Sequence, residues 1–134
     1  MIKETTNMDK KSIRPKLNIN SSNSTVEEIF QNEVLRPIIK LQHELIIRYF
    51  NHTIHSKNVD FHRLNREAKL KFIKDCLTKD LSLNNYLKGL ITGLLTGEEM
   101  VTYLNRKQSV NKRIIQIIEK RIVDSMEEVI GLER

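Results

Sequence analysis

An apolar stripe with helical spacing dominates the first half of the chain and sets its fold class. Its members are separated by four, four, three, four and four residues, which keeps them on one face of an α-helix. They are Phe30, Val34, Ile38, Leu41, Leu45 and Tyr49. Further apolar residues widen this face, so the helix is expected to pack against more than one neighbour. The stripe predicts a long first helix from about residue 25 to about residue 57.

A capping-box pattern marks the start of this helix, and a proline interrupts it. Ser24 with Glu27, or Thr25 with Glu28, has the spacing at which a hydroxyl and a carboxylate bind each other's backbone N–H groups. Pro37 lacks an N–H, and its ring crowds the carbonyl four residues earlier. Either the helix kinks there, or a short helix ends near residue 34 and a new one begins with Pro37 in its first turn. The kink is favoured, because the stripe continues in phase.

Two helices are predicted in the middle of the chain, after a connection over residues 58–64. Asn65 is placed to cap a helix over residues 66–79. Asp80 or Ser82 then starts a helix that runs to about residue 95.

The C-terminal third adds a short helix and a long one. Thr96 and Glu99 form a second capping box, for a helix that ends near residue 106. The last helix is predicted to start at Ser109 and to end near residue 130, where Gly131 stops it. No segment alternates with period two. The predicted architecture is therefore an all-α bundle of four to five helices, in which the first and last are the longest.

Residues 1–24 differ in composition from the rest of the chain. They are rich in Asn, Ser, Thr and Lys, and they carry five basic and two acidic side chains. Their apolar residues keep no period, so the segment cannot bury enough apolar surface to offset its ordering entropy. The sequence predicts a disordered basic tail over residues 1–24 and a single helical domain over residues 25–134. Alternatively, residues 13–19 pack on the domain as an extended arm.

The number of cysteines and the hydropathy of the sequence indicate in which cellular compartment the protein is found. Cys76 is the only cysteine, which excludes an intramolecular disulfide and a thiolate metal cluster. The N-terminus has no apolar run after its charges, unlike a secretory signal. No window approaches the ~20 apolar residues of a membrane helix. These features predict a cytoplasmic protein without a membrane partner.

Two features predict surfaces for another chain. Gly89 and Gly93 lie inside a helix at an expected cost of ~1 kcal/mol each, which favours close approach of another helix, within the chain or from a second subunit. The last helix has more apolar residues than one stripe requires. Its heptad-like seam consists of Ile115, Ile118, Ile122 and Val129. Arg36, Lys112 and Arg113 are candidate polar anchors beside these surfaces.

A ridge of basic pairs over residues 106–121 suggests an anionic partner. The pairs are Arg106/Lys107, Lys112/Arg113 and Lys120/Arg121, and residues 100–121 resemble a degenerate helix-turn-helix. The net charge of +6 is divided between tail and domain, which makes the signal weaker than in a dedicated nucleic-acid-binding domain.

Histidines are the first residues to consider as metal ligands. His52 and His55 are three residues apart, so they could share a metal with a carboxylate. No Glu lies between them, and the spacing is not that of an HExxH motif. We assign no catalytic, cofactor-binding or metal-binding residue.

Four stretches together resemble an uncharacterised family of small all-helical bacterial proteins, some of which carry the label "glyoxalase". They are FQNEVLRPIIKLQ at 30–42, the segment around 80–93, TGEEMVTYL at 96–104 and NKRI at 111–114. The resemblance covers roughly residues 28–125 and implies an all-helical fold. The label implies a metal-dependent enzyme, for which His52 and His55 would be the ligands.

The function we expect is that of a non-enzymatic interaction protein. It self-associates or docks a protein partner through its C-terminal helix, with no cofactor. One alternative is a nucleic-acid-associated regulator that uses the basic tail and the ridge over residues 106–121. The other is the metal-dependent, glyoxalase-type enzyme that the family label implies.

Overall fold

A computed structural model describes residues 2–17 and 25–131, with side chains for residues 7–17 and 25–129. The described residues form helices and turns and no β-strand, which confirms the all-α prediction. The α-helices are α1 Ile2–Ser12, α2 Val26–Phe30, α3 Arg36–Leu41, α4 His43–Ser56, α5 Arg66–Lys79, α6 Leu81–Thr92, α7 Gly97–Asn105, α8 Lys107–Asp124 and α9 Met126–Gly131. A π-helical segment, Gln31–Leu35, joins α2 to α3, and a 3₁₀ turn, Phe61–Arg63, precedes α5.

Side-chain caps fix the starts of four helices where the sequence places them. Thr25 and Thr96 each form a complete capping box, with Glu28 and Glu99 respectively. Asn65 accepts a hydrogen bond from the N–H of Ala68. Asp80, and not Ser82, caps α6 by accepting from the N–H of Leu83. Each cap satisfies a backbone donor that the first helical turn leaves free.

The predicted long first helix is divided, contrary to our expectation of one kinked helix. The backbone stays helical ahead of Pro37, but the Arg36 N–H bonds to the carbonyl of Gln31, five residues back. This π-helical pairing widens the turn in which the proline ring would otherwise crowd the Glu33 carbonyl. A second break falls at Gln42, whose φ of −89° and ψ of 9° separate α3 from α4.

The predicted long last helix is also divided. α8 begins at Lys107, two residues before the predicted start, and ends at Asp124. Ser125 is the C-cap residue of α8, and α9 begins at Met126. Ser125 and Glu128 have the spacing of a capping box at this break. The bundle therefore contains more and shorter helices than the four to five we predicted.

The N-terminal segment differs from the prediction of a disordered tail. Residues 2–12 form α1, and the Arg14 guanidinium makes a two-pronged ion pair with Glu99, at 2.8 and 2.9 Å. Arg14 also donates to the Leu94 carbonyl, at 2.7 Å, and Lys10 donates to the Leu95 carbonyl, at 3.1 Å. Polar contacts thus fix residues 7–17 on the turn between α6 and α7. The remainder of the predicted tail, residues 1 and 18–24, lies outside the described residues.

The hydrophobic core lies where α3, α4, α5, α6 and α8 meet. α8 contacts α3, α5 and α6, while α9 packs on α4. Completely buried side chains come from each of the five helices, including Ile38, Ile47, Phe50, Ile73, Leu87 and Ile118. Since α8 is in contact with so many neighbours, only a narrow face of it remains exposed.

Candidate functional site

The apolar seam predicted on the last helix belongs to the protein's own core. Ile118 and Ile122 are 0% exposed, Val129 is 1% exposed and Ile115 is 9% exposed. These four side chains are covered by the chain itself, so they cannot also present a seam to a second copy in this fold. Heptad spacing does not distinguish a helix buried among neighbours from one that dimerises, and here it marks the buried side of the helix.

The glycines of α6 do not mediate a close approach between helices of this chain. A Cβ at Gly89 would meet no described atom within 4 Å, and Gly93 is the residue that ends α6. α5 and α8 pack instead on the other face of α6, which carries Leu83, Leu87 and Ile91. Gly89 and Gly93 are both exposed, so their role in a subunit interface stays a prediction.

Arg113, the remaining predicted interaction residue, lines a cavity that we call the basic cleft. The cleft lies between the π-helical segment and the second half of α8, and its volume is about 350 Å³. Four cationic side chains and one carboxylate line it, together with polar groups. The charged residues are Arg36, Arg113, Lys120, Arg121 and Asp124, and Gln31 and Gln116 are among the polar ones.

Local hydrogen bonds hold two of the arginines without neutralising them. Arg36 Nε donates to Asn32 Oδ1 at 3.1 Å, because the two residues lie one helical turn apart. Arg113 Nη1 donates to Gln116 Oε1 at 3.0 Å. Within the described chain, neither guanidinium has a carboxylate at ion-pair distance. The charge of Arg113 contributes to lowering the pKa of Glu28, after the larger effect of the Thr25 hydrogen bonds.

Arg121 is held at the cleft by a chain of hydrogen bonds from α4 and α9. Arg121 Nη1 lies 3.1 Å from His43 Nδ1, and His43 Nε2 lies 2.8 Å from Glu128 Oε1. Arginine is only a donor, so we assign Nδ1 as the acceptor and Nε2 as the protonated nitrogen that donates to Glu128. The His43 hydrogen bond is the main reason that the pKa of Glu128 lies below its ordinary value. Arg121 Nε is buried and has no hydrogen-bond partner among the described residues.

The carboxylate of the cleft is already engaged. Asp124 pairs with Lys120 at 3.0 Å across one turn of α8, and both side chains are exposed. Exposed pairs of this kind contribute little to stability, at most ~1 kcal/mol. The three arginines therefore leave an excess of positive charge in the basic cleft.

A second cavity lies on the opposite side of α8, and we call it the lysine groove. Its volume is about 360 Å³, and α5, α6 and α8 form its walls. Lys74, Lys88 and Lys112 line it, with Glu119 as the carboxylate. Gln116 lines both cavities, so the exposed face of α8 separates them.

Within the described residues, the candidate metal ligands His52 and His55 are not grouped with further ligands, and the thiol of Cys76 is not activated. His52 and His55 are exposed on α4, and the ring of His52 lies 6.1 Å from that of Tyr49. In the described parts of the chain, no three His, Cys, Asp or Glu side chains are grouped so that they could hold a metal ion. Burial raises the pKa of Cys76 to about 11, which is the opposite of an activated thiol.

The sequence anticipates part of the charged surface and misses the rest. Arg36, Lys112 and Arg113 are among the predicted polar anchors, and Lys120 and Arg121 belong to the predicted ridge. The sequence analysis does not identify Gln31, His43, Lys74 or Lys88, because they meet α8 only through tertiary packing. The helix-turn-helix interpretation fails, since only Arg106 joins α7 to α8 whereas that motif has a turn of three to four residues.

Comparison with known protein families, curated proteins and solved structures yields no match to this chain. The resemblance to the glyoxalase-labelled family therefore stays a prediction. Among the described helices, none has the length and apolar character that crossing a membrane requires.

Proposed function

We propose that this protein is a binding protein that holds a phosphate-type oxyanion in the basic cleft. One observation carries the proposal: Arg36, Arg113, Lys120 and Arg121 line a single cavity in which Asp124 is the one carboxylate among the described residues. Guanidinium groups match the geometry of phosphate oxygens and stay charged at every physiological pH. A cavity of about 350 Å³ is at the small end of ligand sites in proteins, which run from ~300 to ~1,000 Å³.

The arrangement of the arginines favours binding over purely structural ion pairing. Arg36 and Arg113 are held by neutral side-chain oxygens, and Arg121 by the ring of His43. These bonds reduce the rotational freedom that each side chain would lose on binding, which preorganises the site. The expected setting is the cytoplasm, as the sequence predicts.

Calorimetric titration with inorganic pyrophosphate tests this proposal. Arg36→Gln and Arg113→Gln should each weaken binding ~10-fold or more, because a hydrogen bond to a charged group contributes ~1.5–3 kcal/mol. Arg63→Gln is the matched control: Arg63 is exposed, pairs with Asp60 at 3.2 Å and lines neither cavity. Equal affinity in the wild type and the two cleft variants would contradict the proposal.

Self-association, or docking of a protein partner, is the second candidate function. It now rests on exposed apolar side chains of α3, α4 and α6 in place of the α8 seam. Leu41, Leu45 and Tyr86 are 36%, 49% and 46% exposed. Tyr86 stacks on Tyr49 with ring centroids 3.8 Å apart, which ties α6 to α4 beside Leu45.

Light scattering coupled to size exclusion, at low and moderate salt, tests the second candidate. A dimer whose mass is unchanged at higher salt supports an apolar interface, and Leu45→Asp should then convert it to a monomer. Leu104→Asp is the control, because Leu104 is similarly exposed but lies on α7. A wild-type monomer under both conditions would rule out self-association and leave only the docking of a different protein.

A further inference from the structure

The exposed face of α8 forms a ridge between two positively charged cavities. The basic cleft lies on one side, and the lysine groove lies on the other. Between them, the exposed side chains of the ridge are Lys112, Arg113, Gln116 and Lys120. Basic side chains therefore line both sides of this face, although residues 25–134 as a whole carry 18 basic and 15 acidic side chains.

We propose that the oxyanions bound at this face are the phosphates of double-stranded DNA, with α8 in the major groove and one backbone in each cavity. This inference rests on the proposed function of the basic cleft. An α-helix with its side chains is ~10–12 Å in diameter, and the major groove of B-DNA is ~12 Å wide. A helix seated there has a phosphate backbone on each side, and cationic cavities flank α8 on both sides.

The residue types on the ridge suit the edges of base pairs. Arginine and lysine bind guanine, and glutamine binds adenine, in the major groove. Arg113 and Gln116 already hydrogen-bond to each other at 3.0 Å, so they would present a joint polar surface to the bases. Arg36 on one side, and Lys74 and Lys88 on the other, are placed for phosphates, which position a protein on DNA without reading its sequence.

Single-stranded nucleic acid fits this surface less well. Proteins that bind single strands stack the bases on aromatic side chains. None of the residues that line the basic cleft or the lysine groove is aromatic. Duplex RNA is also disfavoured, because its deep and narrow major groove does not admit side chains for readout.

Two carboxylates lie on this face and limit where the DNA can contact it. Asp124 is paired with Lys120 at 3.0 Å near the end of α8, and Glu119 lines the lysine groove. Both are in the second half of the helix. The closest approach of the duplex is therefore expected around Lys112, Arg113 and Gln116.

Fluorescence anisotropy with a labelled 20-base-pair DNA duplex tests the inference, across a series of salt concentrations. Lys74→Gln and Lys88→Gln should each weaken duplex binding several-fold and reduce the slope of log affinity against log salt by about 0.9. Both variants should leave pyrophosphate binding unchanged, whereas Arg36→Gln should weaken the binding of pyrophosphate and of the DNA duplex. Lys40→Gln is the matched control, because Lys40 is an exposed lysine on α3 that lines neither cavity.

The outcomes separate this inference from the proposed function. Pyrophosphate binding that depends on Arg36, without duplex binding, would overturn the DNA inference and leave the oxyanion site standing. If the wild type bound neither pyrophosphate nor the DNA duplex, both the oxyanion site and the DNA inference would be overturned. Duplex binding that is unchanged in the Lys74 and Lys88 variants, or equal affinity for duplex RNA, would contradict a helix seated between two backbones.

Discussion

Replacing Ile118 by alanine tests whether the apolar side of α8 is core or interface. Ile118 is 0% exposed on the side of α8 that contacts α3, α5 and α6. The substitution removes three carbon atoms, which corresponds to ~2.4 kcal/mol of transfer free energy at ~0.8 kcal/mol each. The cavity left behind adds to this, so we expect the free energy of unfolding to fall by ~3–4 kcal/mol. For a chain of this length, the melting temperature should drop by roughly 12 °C.

Urea unfolding followed by circular dichroism, at two protein concentrations tenfold apart, measures the effect. Gln116→Ala serves as the control, because Gln116 is exposed on the same helix and should change the unfolding free energy by less than ~0.5 kcal/mol. The loss in Ile118→Ala should not depend on concentration. If the variant kept the unfolding free energy of the wild type and instead changed the mass of an oligomer, Ile118 would belong to an interface and our assignment of the core would be wrong.

Three further predictions follow from buried and charged groups. Asn51→Leu should raise the free energy of unfolding by ~1–3 kcal/mol in urea titrations, since both amide atoms are buried without a partner among the described residues; a decrease would show that the amide is satisfied. Burial works to raise the pKa of Glu99, but the bonds from Arg14 and the Thr96 N–H together hold it below 4.5. The stabilisation from this carboxylate is thus fully present above pH 4.5 and is lost as the pH falls through the lower folded pKa. NMR amide signals of residues 7–17 should shift in that range, and Glu99→Gln should abolish the pH dependence. The Cys76 thiol, with a pKa of about 11, should react with a thiol reagent at pH 8 much more slowly than in urea-unfolded protein; equal rates would contradict its burial.

Local signals in the sequence predict most helix starts. Thr25, Asn65, Asp80 and Thr96 each cap a helix at the predicted place, because a cap depends on residues only two or three positions apart. Ser125 and Glu128 have the same spacing at the start of α9, where the sequence analysis overlooked it inside a continuous apolar pattern. That pattern continues across the break, since α8 and α9 both keep an apolar side toward the core.

Features that depend on distant residues are not visible in the sequence. Arg14 is 85 positions from Glu99, and their ion pair orders a segment whose composition alone is typical of disorder. Likewise, the basic cleft joins Arg36 to Arg113 and Arg121 across the fold. The π-helical segment is a third case, because Pro37 signals an irregularity without specifying its form.

An NMR titration of isotopically labelled protein with inorganic pyrophosphate tests the oxyanion site most directly. Our account predicts that the perturbed backbone amides cluster at residues 31–36 and 113–125, which form the two walls of the basic cleft. Those of the N-terminal segment and of α5 should stay unchanged. Perturbations spread over all exposed lysines and arginines, or the absence of any, would contradict a defined oxyanion site.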